Sequence, residues 1–172
     1  RNAAAGNGGA MKLLVVCLGN ICRSPMAEGA LRARLDASAL AGRVQVDSAG
    51  TGDWHVGQPP DRRAIACAAG HGVDLGGLRA RQLQPQDFDA FDWILCADEA
   101  NLRDAARLAT DTQRERLALY LPWSGGQGER AIPDPYTGGS DHFEQVWSLV
   151  DAAAERTVAR LLHHAHSGII GP

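Results

Sequence analysis

The chain has 172 residues, 45% of them hydrophobic and 22% charged, with a formal net charge of −3. That length suits a single domain able to bury roughly 70% of its unfolded surface. The slightly acidic balance excludes nucleic-acid or anionic-membrane binding through bulk charge, and no apolar run approaches the ~20 residues of a membrane span. Residues 1–10 are rich in Gly, Ala and Asn, lack the apolar stretch of a secretory signal, and precede Met11-Lys12. They read as an unstructured extension or a cloning remnant, and residues 167–172 as a tail. The domain is expected over 11–166, in the cytoplasm.

Residues 13–17 form an apolar run ending before Gly19-Asn20, the pattern of a buried parallel strand. Ser24-Pro25 reads as an N-cap followed by Pro at the first helical position, opening a helix over 26–40 rich in Ala, Leu, Arg and Glu. A second strand is predicted over 43–48, a Gly-rich loop over 50–60, and a helix over 61–72 stopped by Gly70 and Gly72. A third strand (91–96), a helix (97–108) begun near Asp98-Glu99, and a fourth strand (116–121) follow. Pro133-Asp134-Pro135 lies in a loop before the last helix, 141–163. Strands alternating with helices predict an α/β fold whose parallel sheet is covered on both faces.

Four cysteines are present, Cys17, Cys22, Cys67 and Cys96. Without an export signal they do not suggest disulfides. Only Cys17 and Cys22 are close, which is not the paired spacing of a four-cysteine zinc site. Cys67 and Cys96 lie in apolar runs and read as small buried hydrophobes.

The informative stretch is Cys17-Leu18-Gly19-Asn20-Ile21-Cys22-Arg23-Ser24-Pro25, between the first strand and the first helix. Ligands of open α/β sheets bind at such carboxyl ends of strands. The loop 18–22 can turn its N–H groups inward as an anion nest, and the helix adds its positive end. Arg23 can hold two phosphate oxygens with its planar fork. A positive field of this kind lowers a thiol pKa from ~8.5 to about 3.5–7.5 and makes Cys17 a nucleophile. Leu18, Gly19, Asn20, Ile21, Cys22 and Ser24 form the cradle in this reading. No Walker sequence or G-x-G-x-x-G is present. Pro133 and Pro135 hold Asp134 in extended backbone, where it is either an Asx-turn residue or a proton donor aimed at the site.

The stretch Val16-Cys17-Leu18-Gly19-Asn20-Ile21-Cys22-Arg23-Ser24-Pro25 resembles the signature of the low-molecular-weight protein tyrosine phosphatases. The resemblance covers almost all of 11–166, including Asp53-Trp54-His55-Val56-Gly57, Ile94-Leu95-Cys96-Ala97-Asp98-Glu99-Ala100-Asn101-Leu102 and Asp134-Pro135-Tyr136. It implies a four-stranded parallel sheet flanked by helices and no metal cofactor. It implies a phosphoric monoester hydrolase with Cys17 as nucleophile, Arg23 as phosphate clamp and Asp134 as general acid. Ser24 would hydrogen-bond the Cys17 sulfur, and Asn20 and Ser48 would form a supporting network. Substrates would be phosphotyrosine-containing proteins, a tyrosine kinase among them, acted on by a monomer or weak homodimer.

Phosphotyrosine needs a deep pocket with aromatic walls, for which Trp54 and Tyr136 are the candidates. Trp93, Trp123 and Trp147 read as core. Relatives that act on phosphoarginine tend to carry Thr at the position of Ile21, so Ile21 favours phosphotyrosine. One departure stands out: Leu78 occupies the position before Arg79-Ala80-Arg81 where the family commonly has a His in the Asn20–Ser48 network. A modest loss of loop rigidity is expected. Two alternative readings are a thioredoxin-coupled arsenate reductase, which needs a close pair of further cysteines, and a phosphopeptide-binding module without turnover.

Overall fold

The computed structural model describes residues 11–166, so the extension expected at 1–10 and the tail at 167–172 lie outside the described residues. Strand β1 (Met11–Cys17) is apolar toward both of its faces, and the fold buries both. Leu13, Val15 and Cys17 enter one core with residues of α1 (Arg23–Asp36) and α7 (Ser140–His166), including Met26, Leu31, Phe143 and Val150. Leu14 and Val16 enter a second core with Phe88, Phe91 and Ile94. Successive side chains of a strand point oppositely, so a strand in mid-sheet feeds two cores at once.

β1 pairs in parallel with β2 (Val44–Gly50) on one side and β3 (Trp93–Cys96) on the other, and β3 pairs with β4 (Leu117–Leu119). The order β2-β1-β3-β4 is the expected four-stranded parallel sheet, with helices on both faces. The remaining helices are α2 (Arg62–Gly70), α3 (Asp87–Ala90), α4 (Glu99–Ala106), α5 (Asp111–Arg114) and α6 (Tyr120–Trp123). The chain leaves β1 toward β2 and returns toward β3 on the opposite side. That reversal opens a crevice beyond the carboxyl ends of β1 and β3. Among the described residues, no helix is long and apolar enough to cross a membrane.

Several element ends differ from expectation for local reasons. α1 stops at Asp36 instead of 40 because the Ser38 hydroxyl donates to Leu35 O (2.8 Å) and accepts from Leu40 N (3.0 Å), closing a turn of its own. The strand expected over 116–121 is reduced to β4, since Tyr120 already begins α6. α1 starts at Arg23 with Cys22 at the N-cap, so Ser24 does not cap the helix.

Candidate active site

The loop leaving β1 turns its carbonyls outward. Thr51 N–H donates to Cys17 O and Gly52 N–H to Leu18 O, each at 2.9 Å, while Asp61 N–H donates to Ile21 O at 2.8 Å. A loop whose carbonyls are engaged by the surrounding chain offers its N–H groups to the concave side. Asn20 makes the turn in the left-handed region, with φ +58°, a conformation Asn tolerates better than most residues. Close approach to β2 requires Gly50: a Cβ there would sit 2.7 Å from Leu18 O and 3.1 Å from Asn20 N.

Cys17 ends β1 with its sulfur beneath this loop, 3.0 Å from Ser24 Oγ and 3.3 Å from the donating Asn20 N. Ser24 is fully buried, its hydroxyl engaged with Cys17 and Asn20. With no side-chain cap on α1, the helix's first N–H groups and its positive end remain directed at the loop.

A buried relay continues behind the loop. Asn20 Nδ2 donates to Ser24 Oγ (2.8 Å) and to Ser48 Oγ (2.9 Å), and Ser48 Oγ donates to Glu28 Oε1 (2.6 Å). Arg81 N donates to Asn20 Oδ1 at 2.9 Å, which fixes the amide's orientation. Each serine accepts from Asn20, leaving the Ser24 hydrogen for the Cys17 sulfur. Glu28 Oε2 faces Arg32 Nη2 at 2.7 Å as an ion pair that lacks hydrogen-bond alignment. Burial raises the Glu28 pKa, against the lowering effects of the Ser48 hydrogen bond and Arg32. Leu78 packs against the core and contributes no polar atom to this relay.

Arg23 is held from behind: its Nη1 donates to Asp98 Oδ2 at 2.7 Å and to Ile132 O at 3.0 Å. Its Nη2 lies 3.8 Å from Asp134 Oδ2. The other Asp98 oxygen caps α4 by accepting from Asn101 N at 2.8 Å. Asp134 Oδ1 accepts from Tyr136 N at 3.1 Å, so Asp134 both closes an Asx turn and faces the arginine. Arg63 secures that loop by donating to Tyr136 O (2.9 Å) and Gly138 O (3.0 Å).

These groups surround a cavity of about 190 Å³. Leu18, Gly19, Ile21 and Cys22 line it together with Cys17 and Arg23, and Trp54, Asp134 and Tyr136 close it from the facing loops. Trp54 is 67% exposed and Tyr136 50%, which makes them rim residues. Asn20 and Ser24, expected in the cradle, and Ser48 have their side chains behind the cavity lining, where Asn20 Nδ2 bonds both serines. Burial pushes the Cys22 thiol up to about 12, helped by the nearby Asp61, Cys17 and Asp134 charges.

Sequence reading missed His55, which lines the cavity, and Asp98, Glu28 and Arg63, which hold its parts. Asp98 was visible as a helix start and within the segment 94–102 that carries the resemblance, without a role in the site. Its place directly after β3, beside the sheet's reversal, is the signal that could have found it. Cys67 and Cys96 are buried on α2 and β3, and Trp147 is buried in the core, as expected.

Residues 12–166 match the family described as low molecular weight phosphotyrosine protein phosphatase. A low molecular weight protein-tyrosine-phosphatase of Streptomyces coelicolor is 42% identical over 153 residues, 86% of this chain and 92% of that protein. The crystal structure of YfkJ from Bacillus subtilis superposes with a TM-score of 0.85 at 34% identity, covering 92% of this chain and 99% of that one. Vibrio vulnificus Wzb in complex with benzylphosphonate superposes with a TM-score of 0.77 at 31% identity, covering 89% and 100% of the two chains. With its parallel sheet, its loop between β1 and α1 and matches over most of its length, the chain belongs to the low molecular weight phosphotyrosine protein phosphatase family.

Proposed function

We propose that the chain hydrolyses phosphotyrosine monoesters through a cysteinyl-phosphate. The observation that carries this reading is the convergence of Cys17, Arg23 and Asp134 on one cavity, with the Cys17 sulfur in hydrogen-bond contact with Ser24. A cavity of roughly 150 Å³ accepts a benzene ring, so about 190 Å³ suits a phosphorylated ring entering between Trp54 and Tyr136. The benzylphosphonate bound by the Vibrio vulnificus relative has the same combination of aryl group and phosphorus oxyanion.

In the first step the Cys17 sulfur attacks phosphorus and the P–O bond to the tyrosine oxygen breaks. Asp134 gives its proton to the leaving oxygen. The loop N–H groups and Arg23 Nη2 hold the equatorial oxygens as charge builds there. In the second step water attacks phosphorus, Asp134 takes the water's proton, and the S–P bond breaks. Ser24 donates its hydrogen bond to the departing thiolate. Backbone and side-chain donors supply the charge stabilisation in both steps, and the reading invokes no metal.

The substrates inferred are phosphotyrosine-containing proteins, a tyrosine kinase among the candidates, and the chain acts as a monomer or weak homodimer. A nucleophilic thiol needs a reducing compartment, which supports a cytoplasmic location. An arsenate-reductase relay is disfavoured, because Cys67 and Cys96 are buried on separate elements.

The test is phosphate release from a phosphotyrosine peptide between about pH 5 and 7, with a chelator present, for the intact chain and Cys17→Ser. Chelator-resistant turnover that the substitution abolishes supports the reading. No turnover from folded, reduced protein would overturn it, and peptide binding without release would identify a binding module.

A further inference from the structure

Away from the phosphatase cavity, α2 and α7 bring three different metal-ligating side chains together. Cys67 lies on α2, His71 is that helix's C-cap one turn later, and Glu144 projects from α7. Cys67 Sγ donates to Glu144 Oε2 at 3.3 Å, and His71 Nε2 lies 2.8 Å from Glu144 Oε1. All three ligand atoms fall within 4.8 Å of one another. None of the three residues lines the Cys17 cavity.

We propose that Cys67, His71 and Glu144 bind a zinc ion that clamps α2 to α7. The donor set is sulfur, imidazole nitrogen and carboxylate oxygen, which zinc accepts in tetrahedral geometry. Zinc bond lengths of about 2.0–2.3 Å place tetrahedral ligand atoms about 3.3–3.6 Å apart. The 2.8 and 3.3 Å contacts run to the two different oxygens of Glu144 and the three ligand atoms lie within 4.8 Å of one another, so side-chain movements that bring one Glu144 oxygen to both partners complete the site.

The surroundings suit a bound cation. The His71 ring stacks on Trp147, with centroids 5.2 Å apart and planes 12° from parallel, which fixes where its nitrogen points. Trp147, Ser148, Asp151 and Glu155 continue a groove from His71 and Glu144 along α7. Asp151 is paired with Arg34, whereas Glu155 adds negative charge to the groove. On binding, the Cys67 S–H gives its proton to solvent and an S–Zn bond forms. The neutral His71 Nε2 and one Glu144 oxygen donate their lone pairs, and a water on the groove side takes the fourth position.

Such a clamp joins the two helices that secure the Asp134 loop. α2 carries Arg63, which holds Tyr136 O and Gly138 O, and α7 begins directly after that loop. Its effect is on the rigidity of this α2–α7 edge, independent of the Cys17 chemistry.

The experiment titrates Co²⁺ and then competing Zn²⁺ into the full chain carrying Cys17→Ser and Cys22→Ser, which removes the cavity thiols. A thiolate-to-cobalt charge-transfer band displaced by Zn²⁺ is expected. Each of Cys67→Ser, His71→Ala and Glu144→Gln should weaken Zn²⁺ binding at least about tenfold. His71 and Glu144 are exposed, so their variants keep the test valid if Cys67→Ser does not fold. In the otherwise unmodified chain, Zn²⁺ should raise the thermal midpoint by a shift that Glu144→Gln removes. Absence of the band, or Zn²⁺ binding by the Glu144→Gln and His71→Ala variants as tight as that of their parent chain, would overturn the proposal.

Discussion

The Ser24 hydroxyl sits 3.0 Å from the Cys17 sulfur while accepting from Asn20 Nδ2 at 2.8 Å. The second contact bears on the first: Ser24 is buried and Asn20 only donates to it, so the thiolate form of Cys17 is the partner for the Ser24 hydrogen. A hydrogen bond to a charged group contributes about 1.5–3 kcal/mol, which corresponds to roughly ten- to a hundredfold in rate. Ser24→Ala is therefore expected to lower kcat by about that factor, with KM little changed, because the bond serves the departing thiolate and not the bound ester. Steady-state kinetics on a phosphotyrosine peptide check this. A KM change without a kcat change would assign Ser24 to binding.

Asp98 links the phosphate clamp to a helix cap, since one oxygen takes Arg23 Nη1 and the other takes Asn101 N. The two roles are separable by substitution. Asn is a competent N-cap, whereas Ala costs about 1 kcal/mol at such a position. Asp98→Asn should raise KM for the phosphopeptide by about tenfold, as the charge-assisted bond orienting Arg23 weakens. It should leave the unfolding midpoint nearly unchanged. Asp98→Ala should do both, raising KM and lowering stability. Equal KM values for the wild type and Asp98→Asn would show that Ile132 O alone positions Arg23.

The parts of the site readable in the sequence were those carried by contiguous residues. The loop from Cys17 to Ser24 is specified by local spacing, and the uninterrupted apolar run of β1 announces a strand buried on both faces. Ser24 was misassigned as an N-cap because Ser-Pro has the same local signature whether the hydroxyl serves the helix or a sulfur seven residues back. Asp98, Glu28 and Arg63 act through partners separated from them by 75, 20 and 73 residues. No period or short motif encodes such pairings. The short helices α3, α5 and α6 span a single turn each, too little for an apolar period to register.

Leu78 leaves the relay without a polar contribution from the segment that also supplies Arg81 N to Asn20. Leu78→His is expected to add one hydrogen bond near the Asn20–Ser48 pair, worth about 1 kcal/mol. For a chain of this size that is a rise of roughly 2–4 °C in the thermal midpoint. A modest gain in turnover should accompany it as the loop is held more firmly. Calorimetry and steady-state kinetics check both; no change in either would remove Leu78 from any account of loop rigidity.

Glu28 introduces a pH dependence of known sign. Burial raises its pKa above the usual value of 4.5, so the folded chain holds this proton more tightly than the unfolded chain does. Below the unfolded value both states are protonated and the contribution of Glu28 to stability is fully present. It is lost as pH rises through the raised folded value. The wild type should therefore lose stability relative to Glu28→Gln as pH rises above the usual carboxyl value of 4.5. Asp61 and Glu144, whose pKa values are lowered by Arg63 and by His71 respectively, impose the opposite trend, but on both proteins alike. The difference between denaturant unfolding curves isolates Glu28. A pH-independent difference would mean that the Arg32 and Ser48 contacts offset its burial in full.

Cys22 shares the cavity with Cys17, but burial pushes its thiol up to about 12, so Cys22 stays protonated near neutral pH. Peroxide should accordingly meet Cys17 first and convert its sulfur to a sulfenic acid with release of water. Cys22 then loses its proton and attacks that sulfur, a second water leaves, and a Cys17–Cys22 disulfide forms. Such bridging requires Cα atoms within about 7 Å, a separation that one tight loop can provide. The enzyme should therefore be inactivated by peroxide and restored by added thiols, whereas Cys22→Ser should lose activity permanently as Cys17 proceeds to sulfinic acid. Because the resolving thiol must ionise, the bridge should form faster as pH rises toward about 9. Mass mapping after a peroxide pulse distinguishes the outcomes: irreversibly oxidised Cys17 without a bridge in the wild type would show that Cys22 does not protect it.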